Sequence, residues 1–242
     1  NLKDLDKLKK KVFNSSKVIL KKKINYKSFF DNFHKLDIRK KDQNLFRMKL
    51  MKMINKNNFG SKIGFSIFRD IVVELFGKDI STQKNINLVI HEPGDKSQIT
   101  VHRDSPPNSP FEIVIWVPLV NTYKSKNMRI LNKNKTMRIY SKIEKLISKS
   151  KNYDLVMKKY FDEAFAISSS LKLKYGQAII FWTPLIHCVS ENNEKETRWS
   201  LNFRYKNIFS PYGTKEFIDY FRIAETSIVT KLATENQKKK LF

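Results

Sequence analysis

Cysteine is almost missing from this sequence: Cys188 stands alone among 242 residues. A single thiol excludes an internal disulfide framework and suits a reducing compartment. No stretch approaches the roughly 18 consecutive apolar residues that a membrane-spanning helix needs. No secretory hydrophobic region is visible near Asn1, which makes the cytoplasm the expected location; the chain does not begin with Met, so a removed leader stays open. Acidic residues are scarce, 23 against 48 basic ones, giving a formal net charge of +25. No internal repeat is present.

Such a charge ordinarily points to nucleic acid. Arginine, however, is scarce too, at 9 of the 48 basic residues, whereas base and phosphate recognition favour its bidentate fork. The lysines are spread along the whole chain among Asn, Ile and Phe, all residues with AT-rich codons. Genome composition and a solvated, lysine-covered surface therefore explain much of the excess, and the remainder is a general attraction to anionic ligands. These features weigh against a nucleic-acid partner. A basic nucleic-acid-binding protein on a β scaffold remains the alternative, and it would show a steep salt dependence.

Hydrophobic residues are plentiful, 40% of the chain with 18 Phe, which requires a folded globule. The length suffices for one domain, 1–242, with a sizeable core. Residues 1–84 read as helical. Leu2, Leu5, Leu8, Val12 and Phe13 recur at helical spacing, a second helical region spans roughly Tyr26 to Asn55, and Phe65 to Phe76 is a third helix closed by Gly77. From 85 to 210 the pattern turns to short β-prone runs. Asn87–Glu92 and Gln98–Asp104 flank a Pro93-Gly94-Asp95 turn. Phe111–Val120 reads as a strand buried on both faces, Leu171–Tyr175 and Gln177–Trp182 as a hairpin-like pair, and Thr197–Asn207 as the last strand. Residues 133–165 form a lysine-rich helical insert or lid, and 211–242 a closing helix marked by Phe217, Ile218, Phe221, Ile228 and Leu232. The expected class is mainly β with flanking helices packed on one sheet.

Two runs carry chemistry. His102 and Asp104 stand two apart in a β-type segment, so both side chains leave one face. With a second histidine they complete a 2-His-1-carboxylate set, which holds non-heme Fe(II) and leaves coordination positions open. His187 is one of only four histidines in the chain and is the candidate. On the first run Gln98, Thr100, His102 and Asp104 share a face, opposite Ile99 and Val101. On the last, Arg198, Ser200, Asn202 and Arg204 share a face, opposite Trp199, Leu201, Phe203 and Tyr205. Small barrels ordinarily fill their interior with apolar side chains; here the polar face carries the candidate ligands, so the N-terminal helices must cover the apolar face from outside. His91 and Glu92 cannot chelate together, because adjacent strand residues point to opposite faces.

The order His-x-Asp, then His187 83 residues beyond Asp104, then Arg198 eleven further on, resembles the Fe(II)/2-oxoglutarate-dependent dioxygenases. Within them the sequence looks most like the phytanoyl-CoA dioxygenase-like group and its StrG-like members from carbohydrate biosynthesis clusters. His102-Arg-Asp-Ser-Pro106 and Phe111-Glu-Ile-Val-Ile-Trp-Val-Pro-Leu119 carry that closer match. The resemblance implies a double-stranded β-helix (jelly-roll, cupin-like), and Fe(II) held by His102, Asp104 and His187. It implies 2-oxoglutarate as cosubstrate, with its distal carboxylate on Arg198 and His187 and Arg198 on facing sheets. Ser200, Thr100 and Gln98 are further candidate contacts to the cosubstrate. Relatives often place a hydroxyl residue two positions after the distal histidine; here that position is Val189, a departure that leaves the second carboxylate contact open. Halogenating relatives lack the carboxylate ligand, so Asp104 implies hydroxylation or a related oxidation. A small-molecule substrate, sugar or sugar-linked, would meet Trp116, Arg103, Asn202 and Arg204, with Tyr123, Arg129 and Arg138 as further candidates. A metal-free, sugar-binding barrel without turnover is the other alternative.

Overall fold

The computed structural model describes residues 1–242 except 37, 39, 97–99, 106, 148–152, 216 and 241–242. Helix α1 (Leu2–Leu20) opens on Asn1, whose side chain accepts from the Asp4 N–H, and stops at Lys21 in the left-handed region. It runs past the expected end at Phe13, because Ile19 and Leu20 continue the buried stripe of Leu5, Leu8 and Val12. The expected helix over 26–55 is broken into α2 (Tyr26–Phe29), a 3₁₀ turn at Phe33–Leu36, and α3 (Lys40–Asn55). Helix α4 (Phe59–Phe76) begins earlier than its apolar stripe suggested. It ends as expected at Gly77, which adopts φ 73 and donates its N–H to the Val73 carbonyl.

Then come β1 (Ile80–Gln83), β2 (Asn87–His91), β3 (Ile113–Pro118) and β4 (Met128–Ile130), followed by α5 (Lys133–Ile147) and α6 (Tyr153–Ile167). The rest is β5 (Ser169–Leu171), β6 (Ile179–Trp182), β7 (His187–Val189), β8 (Arg198–Asn207), α7 (Phe217–Tyr220), β9 (Phe221–Glu225) and α8 (Ile228–Lys240). The larger sheet has the order β6-β3-β8-β1-β9, with β2 also on β8, and the smaller one the order β5-β4-β7. All their pairings are antiparallel.

Three apolar clusters fix the layers. The first packs the outer face of the larger sheet against the N-terminal helices: Trp199, Leu201, Phe203 and Tyr205 of β8 meet Leu8, Phe29, Phe33 and Leu50. A Cβ at Gly64 would lie 2.3 Å from the Phe203 ring, so α4 rests on β8 with no room for a side chain between them. The second packs α5 and α6 onto Leu131, Ile186 and Cys188, on the outside of the smaller sheet. The third lies between the sheets, where Val114, Trp116 and Phe181 meet Met128.

Five expectations need correction. The fold mixes helix with antiparallel sheet, and more residues lie in helices than in strands, so it is not mainly β. Strands β1 and β9 fall in stretches read as helical, and both complete the larger sheet. The closing helix is interrupted accordingly: Phe221 is fully buried in β9, while Ile228 and Leu232 stand exposed on α8. The segments 171–175 and 177–182 do not form a hairpin, because β5 pairs with β4 and β6 with β3. Within Gln98–Asp104, the described residues 100–104 are not a regular strand; His102 alone forms a bridge, to His187. No helix among the described residues is long and apolar enough to cross a membrane.

Candidate metal centre

His102, Asp104 and His187 converge: one ligand atom from each lies within 4.8 Å of the others. Backbone pairing brings them there. The His102 N–H donates to the His187 carbonyl at 3.0 Å, and the His187 N–H to the His102 carbonyl at 2.9 Å. Asp104 is anchored by its own N–H to the Thr183 carbonyl at 3.0 Å. The two imidazoles lie with ring centroids 4.3 Å apart, and Phe181 sits beside His187.

The ring hydrogen bonds decide which nitrogen is free. His102 Nδ1 faces the Thr100 carbonyl at 2.9 Å, and His187 Nδ1 faces the Leu185 carbonyl at 3.0 Å. A carbonyl only accepts, so each Nδ1 carries the proton and each Nε2 keeps its lone pair. A carbonyl accepting from the far ring nitrogen in this way orients a metal-binding imidazole. Burial, with His102 adding to it, pushes His187 down to about 4, so its ring is neutral at physiological pH. The Asp104 carboxylate is divided between two tasks. Its Oδ1 lies 3.9 Å from His102 Nε2, while Oδ2 accepts from Arg204 Nη2 at 2.8 Å. Arg204, expected at the substrate end, thus holds the candidate ligand Asp104, and its Nη1 lies 3.7 Å from the buried carboxylate of Glu112. Two imidazole nitrogens and one carboxylate oxygen, with His102 half exposed, form a donor set that fits a divalent metal and leaves one side open.

Across from this cluster, β8 carries a row of polar groups on its inner face. Arg198 is 1% exposed. Its guanidinium makes one long bond, Nη1 to the Lys126 carbonyl at 3.4 Å, and lies over the Trp116 ring at 5.8 Å. Its Nε has no hydrogen-bond partner, and the carboxylate whose charge acts on it is Asp95, in the turn after β2. It is therefore not a surface arginine answering Glu194 or Glu196, which instead bond Ser125 and the Lys126–Tyr123 pair. Burial pushes Arg198 down to about 10, so it stays charged at neutral pH. Ser200 is fully buried with an unbonded hydroxyl, and the Asn202 side-chain oxygen is likewise unbonded.

The remaining candidates are distributed as follows. Gln98 lies outside the described residues. Thr100 is exposed, and its carbonyl, not its hydroxyl, serves the site. Trp116 is buried between the sheets. Arg103 is exposed and stacks over Tyr140 at 4.7 Å. Tyr123 bonds Glu196, Arg129 bonds Ser168, and Arg138 pairs with Glu163, so these three are tied to their own neighbours.

Sequence reading set aside one residue that lies at this site. His91 is fully buried on β2, directly opposite Arg198 in the β2–β8 register. The adjacency of Glu92 excluded a joint chelate. It did not bear on what faced His91 across the strands.

No protein-family model matches the sequence, and no curated protein matches it. Among solved structures, the chain is similar to one described as a non-heme monooxygenase, the ThoJ–Ni complex, with a TM-score of 0.53 and 13% identity over 94% of this chain and 77% of that one. The apo form of ThoJ matches over the same shares, with a TM-score of 0.52 and 11% identity. The chain shares the fold of these monooxygenases. In this chain His187 lies on β7 and Arg198 on β8, and His102 is bridged to His187.

Proposed function

We propose that this chain is an Fe(II)- and 2-oxoglutarate-dependent oxygenase, of the phytanoyl-CoA dioxygenase-like type, built on a double-stranded β-helix. The observation that carries the reading is the convergence of His102, Asp104 and His187 with both Nδ1 atoms already occupied, which leaves three donors aimed at one point. A buried guanidinium whose Nε bonds nothing supports it, because a buried charge left short of hydrogen bonds is costly unless a ligand answers it. A dicarboxylate bound at the metal through its 2-oxo acid end would place its other carboxylate there, in the strong bidentate form. The fold shared with a non-heme monooxygenase agrees with this reading.

His102 and His187 would hold iron through Nε2, Asp104 would offset part of its charge, and Arg204 would fix the Asp104 carboxylate. Bound iron with 2-oxoglutarate supplies the oxidation of an unactivated C–H bond, chemistry that belongs to the cofactor. The chain itself positions the reactants. Trp116, Phe181 and Val114 wall the space between the sheets and keep water from it. The unbonded Ser200 hydroxyl would donate to the cosubstrate, and Asn202 would meet it or the substrate. Asp104 fills the carboxylate position, which favours hydroxylation over halogenation. The substrate is read as a small carbohydrate or sugar-linked metabolite, on the resemblance of the segments around His102 and Phe111 to StrG-like proteins.

Anaerobic titration with Fe(II) and 2-oxoglutarate should give a weak visible charge-transfer band. His187→Ala should abolish it. Arg198→Ala should keep iron and weaken 2-oxoglutarate roughly 100-fold, as expected on leaving a buried charge contact unmade. Folded protein that binds neither iron nor 2-oxoglutarate would refute the assignment, and screening sugars for coupled succinate release tests the substrate class.

A further inference from the structure

We propose that His91 is the second anchor of the cosubstrate's distal carboxylate, and that it takes up one proton from solvent as that carboxylate settles beside Arg198. The inference rests on the oxygenase reading above and deepens it at a residue that reading does not use.

Register supplies the placement. His91 and Arg198 are paired residues on antiparallel β2 and β8, and directly opposed residues send their side chains to the same face. The next pair along, Val89 and Ser200, repeats this geometry and sets Ser200 on that face as well. His91 is fully buried, and its Nδ1 has no hydrogen-bond partner. Its Nε2 lies 3.0 Å from the Asp95 carbonyl. Since a carbonyl cannot donate, that nitrogen carries the proton, and the neutral ring is left with a bare lone pair at Nδ1.

A bare lone pair repels a carboxylate oxygen. An anion drawn in by Arg198 therefore meets either an unfavourable contact or a newly protonated Nδ1. The second outcome has a reservoir: in the ligand-free protein, burial and the adjacent Arg198 cation push His91 down to about 4, so the ring starts neutral. The charged groups that face it are Arg198 on β8 and Asp95 in the turn after β2; Glu92, the residue after β2, instead accepts from the Gln43 side chain of α3 at 2.8 Å. An incoming carboxylate adds a negative charge between the two cations and favours the protonated ring. In balance, neutral His91, the 2-oxoglutarate dianion and one proton from hydronium or the buffer acid give the imidazolium–carboxylate pair: the Nδ1–H bond forms as the donor acid's bond to that proton breaks.

The test uses the full chain loaded with Zn(II), titrated calorimetrically with 2-oxoglutarate at pH 6.5 in phosphate and in Tris. The dependence of the heat on buffer ionisation counts protons. Wild type should take up more than about half a proton, following the linkage between binding and protonation. In His91→Gln, whose amide donates without titrating, the uptake should vanish while affinity stays within about tenfold. The His91 Cε1 resonance of the wild-type protein should move to its imidazolium position as 2-oxoglutarate is added, a readout that needs no substitution. No uptake in wild type, or equal uptake in both proteins, overturns the inference alone. Absence of any 2-oxoglutarate binding overturns the oxygenase reading and this inference with it.

Discussion

The two faces of β8 are built on opposite principles from alternating residues of one strand. Outward, Trp199, Leu201, Phe203 and Tyr205 are completely buried among the helices, and Trp199 alone touches Phe29, Phe30 and Phe33 with ring centroids 4.8–5.5 Å apart. Even its indole N–H is satisfied, by the Phe30 carbonyl at 2.9 Å. Inward, Arg198, Ser200 and Asn202 each keep an unbonded polar atom, and Arg204 keeps an unbonded Nη1. Buried polar groups normally find partners; outward only the Tyr205 hydroxyl, among these four residues, lacks one, whereas inward every one of the four keeps an unbonded polar atom. Stability resides on one side of the strand and binding on the other.

That contrast can be broken by substitution. The largest effect belongs outside: Trp199→Ala should cost roughly 3–5 kcal/mol in urea unfolding, through the cavity it opens and the lost indole bond. Next, Arg198→Met should leave the unfolding midpoint unchanged or raised, because a buried cation short of hydrogen bonds becomes apolar, while calorimetry shows 2-oxoglutarate affinity falling roughly 100-fold. A drop of several kcal/mol in stability instead would mean that Arg198 is structural.

Acid should expose the same asymmetry at His91. Its folded value, about 4, lies below the ordinary 6.5. Below pH 6.5 the unfolded chain takes a proton that the folded one refuses, so stability falls as pH drops from 6.5 towards 4, by roughly 3 kcal/mol at most. His91→Gln should remove that part of the slope in denaturation series across this range. Arg204→Leu should weaken Zn(II) binding about 10- to 100-fold, the usual cost of freeing a ligand from its orienting partner. Smallest of all, Ser200→Ala should alter stability by less than about 0.5 kcal/mol, since its hydroxyl bonds nothing in the free protein; a larger loss would show that the inner face is as complete as the outer one.

Much of this was legible in the sequence, for reasons that differ from residue to residue. Strict alternation over Arg198–Tyr205 revealed both faces of β8, because a ten-residue central strand is long enough for a period of two to show. The unbroken apolar run around Trp116 gave β3, which is buried along nearly its whole length. Ile80-Ser-Thr-Gln83 carries no such signal: it is short, polar at three of its four residues and buried throughout, and tertiary pairing with β8 and β9 makes it a strand. Phe221 belonged to a plausible helical stripe and is held in β9 by its pairing with Gln83. His102 and Asp104 were read as strand neighbours, yet their approach comes from single backbone bonds to His187 and Thr183. His91 could not have been found by local spacing, since its meaning lies in the residue opposite it, 107 positions along the chain.

Because β8 pairs with β1, β2 and β3 at once, the middle of the larger sheet cannot assemble until residue 207 has left the ribosome. By then six helices with sticky flanks, and strands β1 and β2 without a partner, have already been synthesised. Long-range pairing of this kind folds slowly and leaves greasy surface unprotected meanwhile. During synthesis this chain should therefore be a client of chaperones, its vulnerable period closing only when the keystone strand arrives.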